Sequence, residues 1–411
     1  MRYKVFISAI AFSLLSTASY ARISDADMVK DIEKCLSQGR ATTVCEYPED
    51  WRNLNEPLRV ARNITWNTPA TLQLISKEDI IFEQDAFIKS EGAGSLLLKA
   101  GMENKNNGDY KNAPQGKIVF KDEAVPHISI NEGAVKFYYN PEKGAPGEWN
   151  EKNKYWNGLS HFYEQRVTFQ GEKNIVSYML VNHARDLQDI RKALYNSYAI
   201  SQDIDAIETK MWDDGKGFRP LKEERIFPHG FSGNFDGNDH TISNLHINRP
   251  EEDHVGLFGR ISGVPFSLSY ISNLKLRNLK ITGGHYVGGL SGSAVDSEIS
   301  NIDVSDSLIN GEAFVGGVIG SASRATLKET FAKQSTNVSS PEYVGTLFGA
   351  GIDMKLSYND INTIYNFHNL TLQASCEKDG ESYFCQSRFG SFLLPLQFYW
   401  QNYEITCKRY H

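Results

Sequence analysis

The sequence predicts an all-β protein, a right-handed parallel β-helix (β-solenoid) with short capping helices and disulfide-stapled ends, and three observations predict it. One phrase returns four times: Val255-Gly-Leu-Phe-Gly259, Val287-Gly-Gly-Leu-Ser-Gly292, Val315-Gly-Gly-Val-Ile-Gly320 and Val344-Gly-Thr-Leu-Phe-Gly349. The step of roughly 28 to 32 residues lies in the range of stacked-repeat folds. A second phrase keeps step ahead of it: Ile242-Ser-Asn-Leu245, Ile271-Ser-Asn-Leu274, Ile299-Ser-Asn-Ile302 and the degenerate Leu327-Lys-Glu-Thr330. Finally, the cysteines sit only towards the two ends of the chain: Cys35, Cys45, Cys376, Cys385 and Cys407.

Within the second phrase, apolar residues recur with the strand period of two, as in Leu274 and Leu276 or Ile302 and Val304. One face of each short strand therefore points into a core. A single coil cannot bury that face alone; stacked coils share one core. Each inward Val, Leu or Ile contributes about 1.5 to 3 kcal/mol on burial, which offsets the ordering entropy only once coils are stacked. The repeat glycines Gly256, Gly259, Gly288, Gly289, Gly292, Gly316, Gly317, Gly320, Gly345 and Gly349 read as structural. They mark places where the backbone takes positive φ or approaches the neighbouring coil closely. A phosphate loop needs a strand-to-helix context and a Lys-Ser/Thr, which follow none of the copies.

In chain order, residues 1–21 read as a secretory signal peptide: Arg2 and Lys4, an apolar run from Val5 to Leu15, and Ser19-Tyr20-Ala21 at the cleavage point. The run is shorter than the roughly 20 residues a spanning helix needs, and no later stretch spans a membrane. Losing Arg2 and Lys4 takes the formal charge from −7 to about −9. An acidic exported chain is a poor partner for nucleic acid.

Residues 22–63 are expected to form an N-terminal cap. Met28, Ile32, Cys35 and Leu36 share one face of a helix, with Ser24 or Asp25 as N-cap and Gly39 as the stop. Residues 64–140 are the first β-helix segment, with short strands such as Thr71-Leu-Gln-Leu-Ile75, Ser95-Leu-Leu-Leu-Lys99 and Lys117-Ile-Val-Phe120, and a polar insert from Met102 to Gln115. Residues 141–181 read as a loop or linker carrying Trp149 and Trp156. Residues 182–349 hold the repeats, entered by a helix over Asn182 to Tyr195 with Leu187, Ile190 and Leu194 on one face. Residues 350–411 form a C-terminal cap. In an exported protein the close cysteine pairs are plausible disulfides, Cys35 with Cys45 and Cys376 with Cys385, leaving Cys407 over.

The segment Ile64-Thr-Trp-Asn-Thr-Pro-Ala-Thr-Leu-Gln-Leu74, with Asp79-Ile-Ile-Phe82 and Ser95-Leu-Leu-Leu-Lys-Ala100, resembles the β-helical body of filamentous haemagglutinin-type bacterial exoproteins. Phe231-Ser-Gly-Asn-Phe-Asp-Gly237, Thr241-Ile-Ser-Asn-Leu245 and the Val-Gly-Gly-Leu copies are similar to the GLUG-type repeats of such surface adhesins. The resemblance implies a secreted or cell-surface adhesin-like binding protein that contacts a host glycan or a surface or matrix protein. Asn140-Pro-Glu does not match the Asn-Pro-Asn-Gly-like export motif of that family, so the export route stays open.

The rival reading is an enzyme that cleaves polysaccharides, since β-solenoids with surface carboxylates also carry that chemistry; a spacer in a larger surface assembly is a third. Asp203, Asp205 and Asp236 are the candidate carboxylates for calcium or for an acid/base pair. Asp214-Gly215 and Asp236-Gly237 read first as turns, with Asp tolerating the backbone and Gly supplying positive φ. No His-Glu-x-x-His or Gly-x-Ser-x-Gly motif is present. No catalytic residue, cofactor or metal ligand is assigned. Contact is expected through the loops Met102 to Gln115 and Asn140 to Gln170, where Tyr and Trp can stack on sugar rings.

Overall fold

The structure is a computed structural model of the whole chain. It describes residues 22–23, 26–103, 116–122, 126–141, 163–171, 174–223, 230–263, 268–333, 336–345 and 347–351, with backbone alone at 4–5, 149–150, 155–156, 352, 354–357, 374–379 and 382–387. Apart from the backbone at 4–5, the leader proposed for residues 1–21, with most of the insert at 102–115 and Cys407, lies outside the described residues. The chain divides into two compact units, Met1–Asn182 with Ser197–Gln202, and His183–Asn196 with Asp203–His411.

Three parallel, in-register stacks build the first unit. One contains Arg22–Ile23, Leu58–Val60, Ile80–Phe82 and Ile118–Phe120. The next contains Ile64–Trp66, Ile88–Ser90, Ile128–Ile130 and Val167–Phe169. A third contains Val44–Tyr47, Thr71–Ile75, Leu96–Lys99, Val135–Tyr139, Ile175–Val181 and Tyr198–Ile200, with Lys4–Val5 paired beside Val44–Cys45. Over residues 58–139 each coil contributes one strand to each stack in turn, so the architecture is a parallel β-solenoid. The three-residue strands between Leu58 and Ile130 bury their first and last side chains, placing Ile64, Ile88 and Ile128 in one core column and Val60, Phe82 and Phe120 in another.

Two expected boundaries change. Residues 22–63 are more than a cap, because Val44–Tyr47 and Leu58–Val60 are strands of the stack. The stretch 141–181 is more than a linker: Tyr163 is fully buried against Phe137, ring centroids 4.8 Å apart, and Val167–Phe169 and Ile175–Val181 extend two of the stacks. Short strands separated by polar inserts carry little local periodicity, and only pairing with the previous coil reveals them.

Helix α1 (Ala26–Ser37) buries Ile32, Cys35 and Leu36. Its Glu33 carboxylate accepts from the Thr65 N–H at 3.0 Å, satisfying an edge donor of Ile64–Trp66. The helix ends at Ser37, and Gly39 just beyond it is bare for a steric reason, since a Cβ there would lie 2.4 Å from Ala70 Cβ. A disulfide joins Cys35 on the helix to Cys45 in the first strand of the third stack.

In the second unit, α2 (Ala184–Asp189) passes into a 3-10 turn at Ile190–Lys192, and the His183 side chain caps it by accepting from the Asp186 N–H at 3.3 Å. Leu187, Ile190 and Leu194 are buried, as the helical face requires. The repeats then form three stacks: His246–Arg249, Lys280–Gly283, Leu308–Asn310 and Asn337–Ser339; His285–Gly288, Ala313–Gly316 and Glu342–Gly345; and the long strands Ser269–Arg277, Ser291–Ser305 and Ile319–Ala332. The long strands turn corners at left-handed residues, Asp296 and Asn301 in one coil and Arg324 and Glu329 in the next. Met354–Ser357 continues the parallel stack and then pairs antiparallel with Ser382–Ser387, which forms a hairpin with Ala374–Asp379. Cys376 and Cys385 are direct register partners in that hairpin; their side chains lie outside the described residues.

Candidate binding surface

The repeat glycines pack coils together, and none of them takes positive φ. Val287, Val315 and Val344 lie in one register column, and Gly288, Gly316 and Gly345 in the next. A Cβ on Gly288 would meet Val318 O at 2.6 Å; on Gly316 it would meet Ile319 O at 2.0 Å and Phe348 Cα at 2.7 Å; and on Gly289 it would meet Gly317 O at 2.7 Å. Gly256 approaches Gly288 O in the same way, at 2.6 Å. Of the two possibilities the phrase left open, close approach is the one realised.

The left-handed residue is instead the one just before each Val: His254 (φ 57°), Tyr286 (59°), Phe314 (56°) and Tyr343 (51°). Their rings stack along the corner at centroid distances of 4.8, 4.9 and 4.7 Å with interplanar angles of 8°, 9° and 2°. The strand spacing of about 4.8 Å matches the stacking distance. A left-handed bulky residue costs on the order of 1–2 kcal/mol, and each stacked pair returns about 0.5–1.5 kcal/mol. The closing glycine of each phrase is tied to this ladder. A Cβ on Gly292, Gly320 or Gly349 would lie 2.5, 2.6 or 2.4 Å from the carbonyl carbon of His254, Tyr286 or Phe314 respectively, and Gly259 approaches His254 O at 2.9 Å. The sequence signal was visible one position upstream of the repeat. The inner rings, Tyr286 and Phe314, are stacked on both faces, which leaves little more than their edges for a ligand.

Burial beside Lys222 and Arg260 pushes the His254 imidazole down to about 4, so at neutral pH the ladder ends in an uncharged ring. His285 makes a contact of 3.1 Å to the Asp253 carboxylate, which also accepts from the His285 N–H.

The candidate carboxylates are held in structural hydrogen bonds. Asp203 accepts from the Thr241 N–H at 2.8 Å and contacts His240 at 3.3 Å. Asp205 accepts from the Ile207 N–H and from Asn244, whose own oxygen accepts from Asn278. Asp236 accepts from the Asn238 N–H and from Asn273, which in turn accepts from Asn301. Asn244, Asn273, Asn278 and Asn301 are all left-handed, so these are two asparagine ladders along solenoid corners with Asp205 and Asp236 at their feet. At 236–239 the turn also departs from expectation: Asn238 and Asp239 are left-handed rather than Gly237, whereas at 214–215 both Asp214 (φ 51°) and Gly215 (φ 84°) are. Among the described residues, no group of three or more His, Cys, Asp or Glu side chains is placed to hold a metal ion.

Another strained loop is clamped. Arg249, 6% exposed, reaches the Asp213 carboxylate at 2.6 Å, the carbonyls of Gly217 and Phe218, and Glu252. Arg249 and Arg219 hold the Asp213 carboxyl down at about 2. The expected contact loop Asn140 to Gln170 contributes Tyr163 and Val167–Phe169 to the solenoid, and ahead of them in the chain Trp149–Asn150 pairs antiparallel with Tyr155–Trp156. Exposed aromatic rings of the second unit lie elsewhere, at Tyr195, Tyr270 and Tyr343.

Across 119 residues, 28% of this chain, the sequence is 39% identical to halomucin of Haloquadratum walsbyi. The matched part is 1% of that protein's length. No family model matches the chain, and no solved structure matches it. Among the described residues no helix is long and apolar enough to cross a membrane.

Proposed function

We propose that this is a secreted or cell-surface, adhesin-like protein that works by binding rather than by catalysis, its coils wound right-handed like other parallel crossovers. The observation that carries the reading is the state of the carboxylates: Asp203, Asp205 and Asp236 each accept hydrogen bonds that hold turns or ladders together, while aromatic rings stand exposed on a rigid scaffold. A general acid or base needs a free carboxyl within reach of substrate, whereas a binding protein needs only displayed contacts. The GLUG-like phrases and the partial likeness to halomucin agree with a surface-associated role. Leader cleavage before Arg22 and a second staple between Cys376 and Cys385 belong to the same reading.

The exported chain is to be screened against immobilised glycans and matrix proteins, with polysaccharide depolymerisation assayed in parallel, with and without calcium. Binding without release of oligosaccharides is the expected result. Release that disappears in a variant combining Asp203→Asn, Asp205→Asn and Asp236→Asn would replace this reading with an enzyme.

A further inference from the structure

Tyr195 and Tyr270 are 58% and 46% exposed, and among the described residues neither ring stacks on another nor has its hydroxyl hydrogen-bonded. Both belong to the second unit, on coils either side of the segment Ser232–Asn234. The Leu194 carbonyl accepts from the N–H groups of Ser232 and Gly233 at 2.9 and 3.3 Å, which places Tyr195 one coil to one side. On the other side, Ser269 Oγ donates to Gly233 O at 2.6 Å and Phe235 is the register partner of Ile271, which places Tyr270 one coil further on. Two rungs amount to about 9–10 Å.

The floor between the two tyrosines is open by necessity. Gly233 can carry no side chain, because a Cβ would lie 1.9 Å from Asn196 O. Ser232 is half-buried with its hydroxyl unengaged, and the Asn196 side-chain nitrogen is a buried donor without a partner. Nearby charges are compensated: Arg324 holds Asp296 through two contacts of 2.7 Å, and Lys328 holds Glu298 at 2.8 Å. Among the described residues the surface thus offers two unspent aromatic faces and a floor with a free hydroxyl, beside two closed charge pairs.

We propose that Tyr195, the Ser232–Gly233 floor and Tyr270 form a subsite for a neutral glycan, with pyranose rings stacking on the tyrosines and their hydroxyls meeting Ser232. Amphipathic sugar rings need a flat apolar face with polar groups beside it, which isolated tyrosines on a polar sheet supply. The charges of Asp296 and Glu298 beside the tyrosines are already spent on Arg324 and Lys328, and the stacked ladder at Tyr286 and Phe314 has no free faces to offer. The assignment rests on the binding-protein reading and names its ligand class.

The test is calorimetric titration of the exported chain with neutral β-linked glucose, N-acetylglucosamine and mannose hexasaccharides, alongside immobilised matrix proteins. Tyr195→Ala and Tyr270→Ala should each weaken binding of the preferred hexasaccharide roughly 3- to 10-fold, and the double variant more than either. Bound hexasaccharide should protect Tyr195 and Tyr270 from nitration. Both tyrosines are exposed, so unchanged circular dichroism is expected in these variants. Hexasaccharide binding undiminished in the double variant overturns the subsite and leaves the binding reading standing, as does binding to matrix proteins alone. Failure to bind either class overturns both.

Discussion

The coils of residues 58–181 and those of residues 246–351 bury apolar faces by the same parallel stacking, yet they put their aromatic rings in different places. In the first unit rings fill the interior: Phe82 stacks on Phe120 at 4.8 Å, and Phe137 stacks on Tyr163, which meets Tyr139 edge-on. More rings, Trp51, Tyr138 and Tyr178, are buried in a further apolar cluster with Met102 and Leu180. In the later coils of the second unit the interior is made of Val, Leu and Ile, and the rings line a corner. Coil length explains the contrast. Uneven coils leave unequal gaps that large flat side chains fill, whereas a nearly constant step brings the same position back above itself at the strand spacing, so small core residues suffice and surface residues become ladders.

Substituting rings should separate the two modes most sharply. Phe82→Ala removes a fully buried ring and should cost about 3–5 kcal/mol, whereas Phe314→Ala, on a partly exposed corner, should cost roughly 1–2 kcal/mol. Hydrogen exchange resolved by unit reads both. Equal losses would mean that the corner ladder carries as much stability as the core.

Glycines provide the next contrast. Gly316→Val drives a side chain into Ile319 O and should cost about 3 kcal/mol or more in thermal unfolding. Gly215→Ala, with positive φ but nothing within 4 Å of its Cβ, should cost roughly 1 kcal/mol. A harmless Gly316→Val would refute close coil approach as the reason for the phrase.

Reducing the Cys35–Cys45 bridge should destabilise the first unit by roughly 2–3 kcal/mol, the entropy of closing a short loop, and leave exchange in the repeats unchanged.

Acid should act on the opposite unit. The folded His254 pKa of about 4 lies below its ordinary 6.5, so its contribution is complete above pH 6.5 and is lost as pH falls towards 4. The loss is on the order of 2–3 kcal/mol. His254→Phe, which keeps a ring in the stack, should remove that pH dependence; an unaltered profile would assign it to another group.

A smaller effect than that of acid is expected at the ladder feet. Asp236→Ala should cost about 1–2 kcal/mol, since it strips the acceptor from the Asn238 N–H and from Asn273.

Much of this was written locally in the chain. The alternation of Leu274 with Leu276 and of Ile302 with Val304 dictates strands, the step of the Val-Gly phrase dictates stacking, the face of Met28, Ile32, Cys35 and Leu36 dictates a helix, and a separation of 10 residues from Cys35 to Cys45 is short enough for a bridge. Tertiary structure decided the rest, because the deciding contacts join residues a whole coil apart. That Gly320 must be bare follows from Tyr286, and that Asp205 and Asp236 are occupied follows from Asn244 and Asn273. Likewise, Val167–Phe169 is a strand because Ile128–Ile130 lies beside it. Composition and period report what a segment prefers by itself. Which backbone sits 4.8 Å away, and therefore which side chain is spent and which is free, exists only once the coils are stacked.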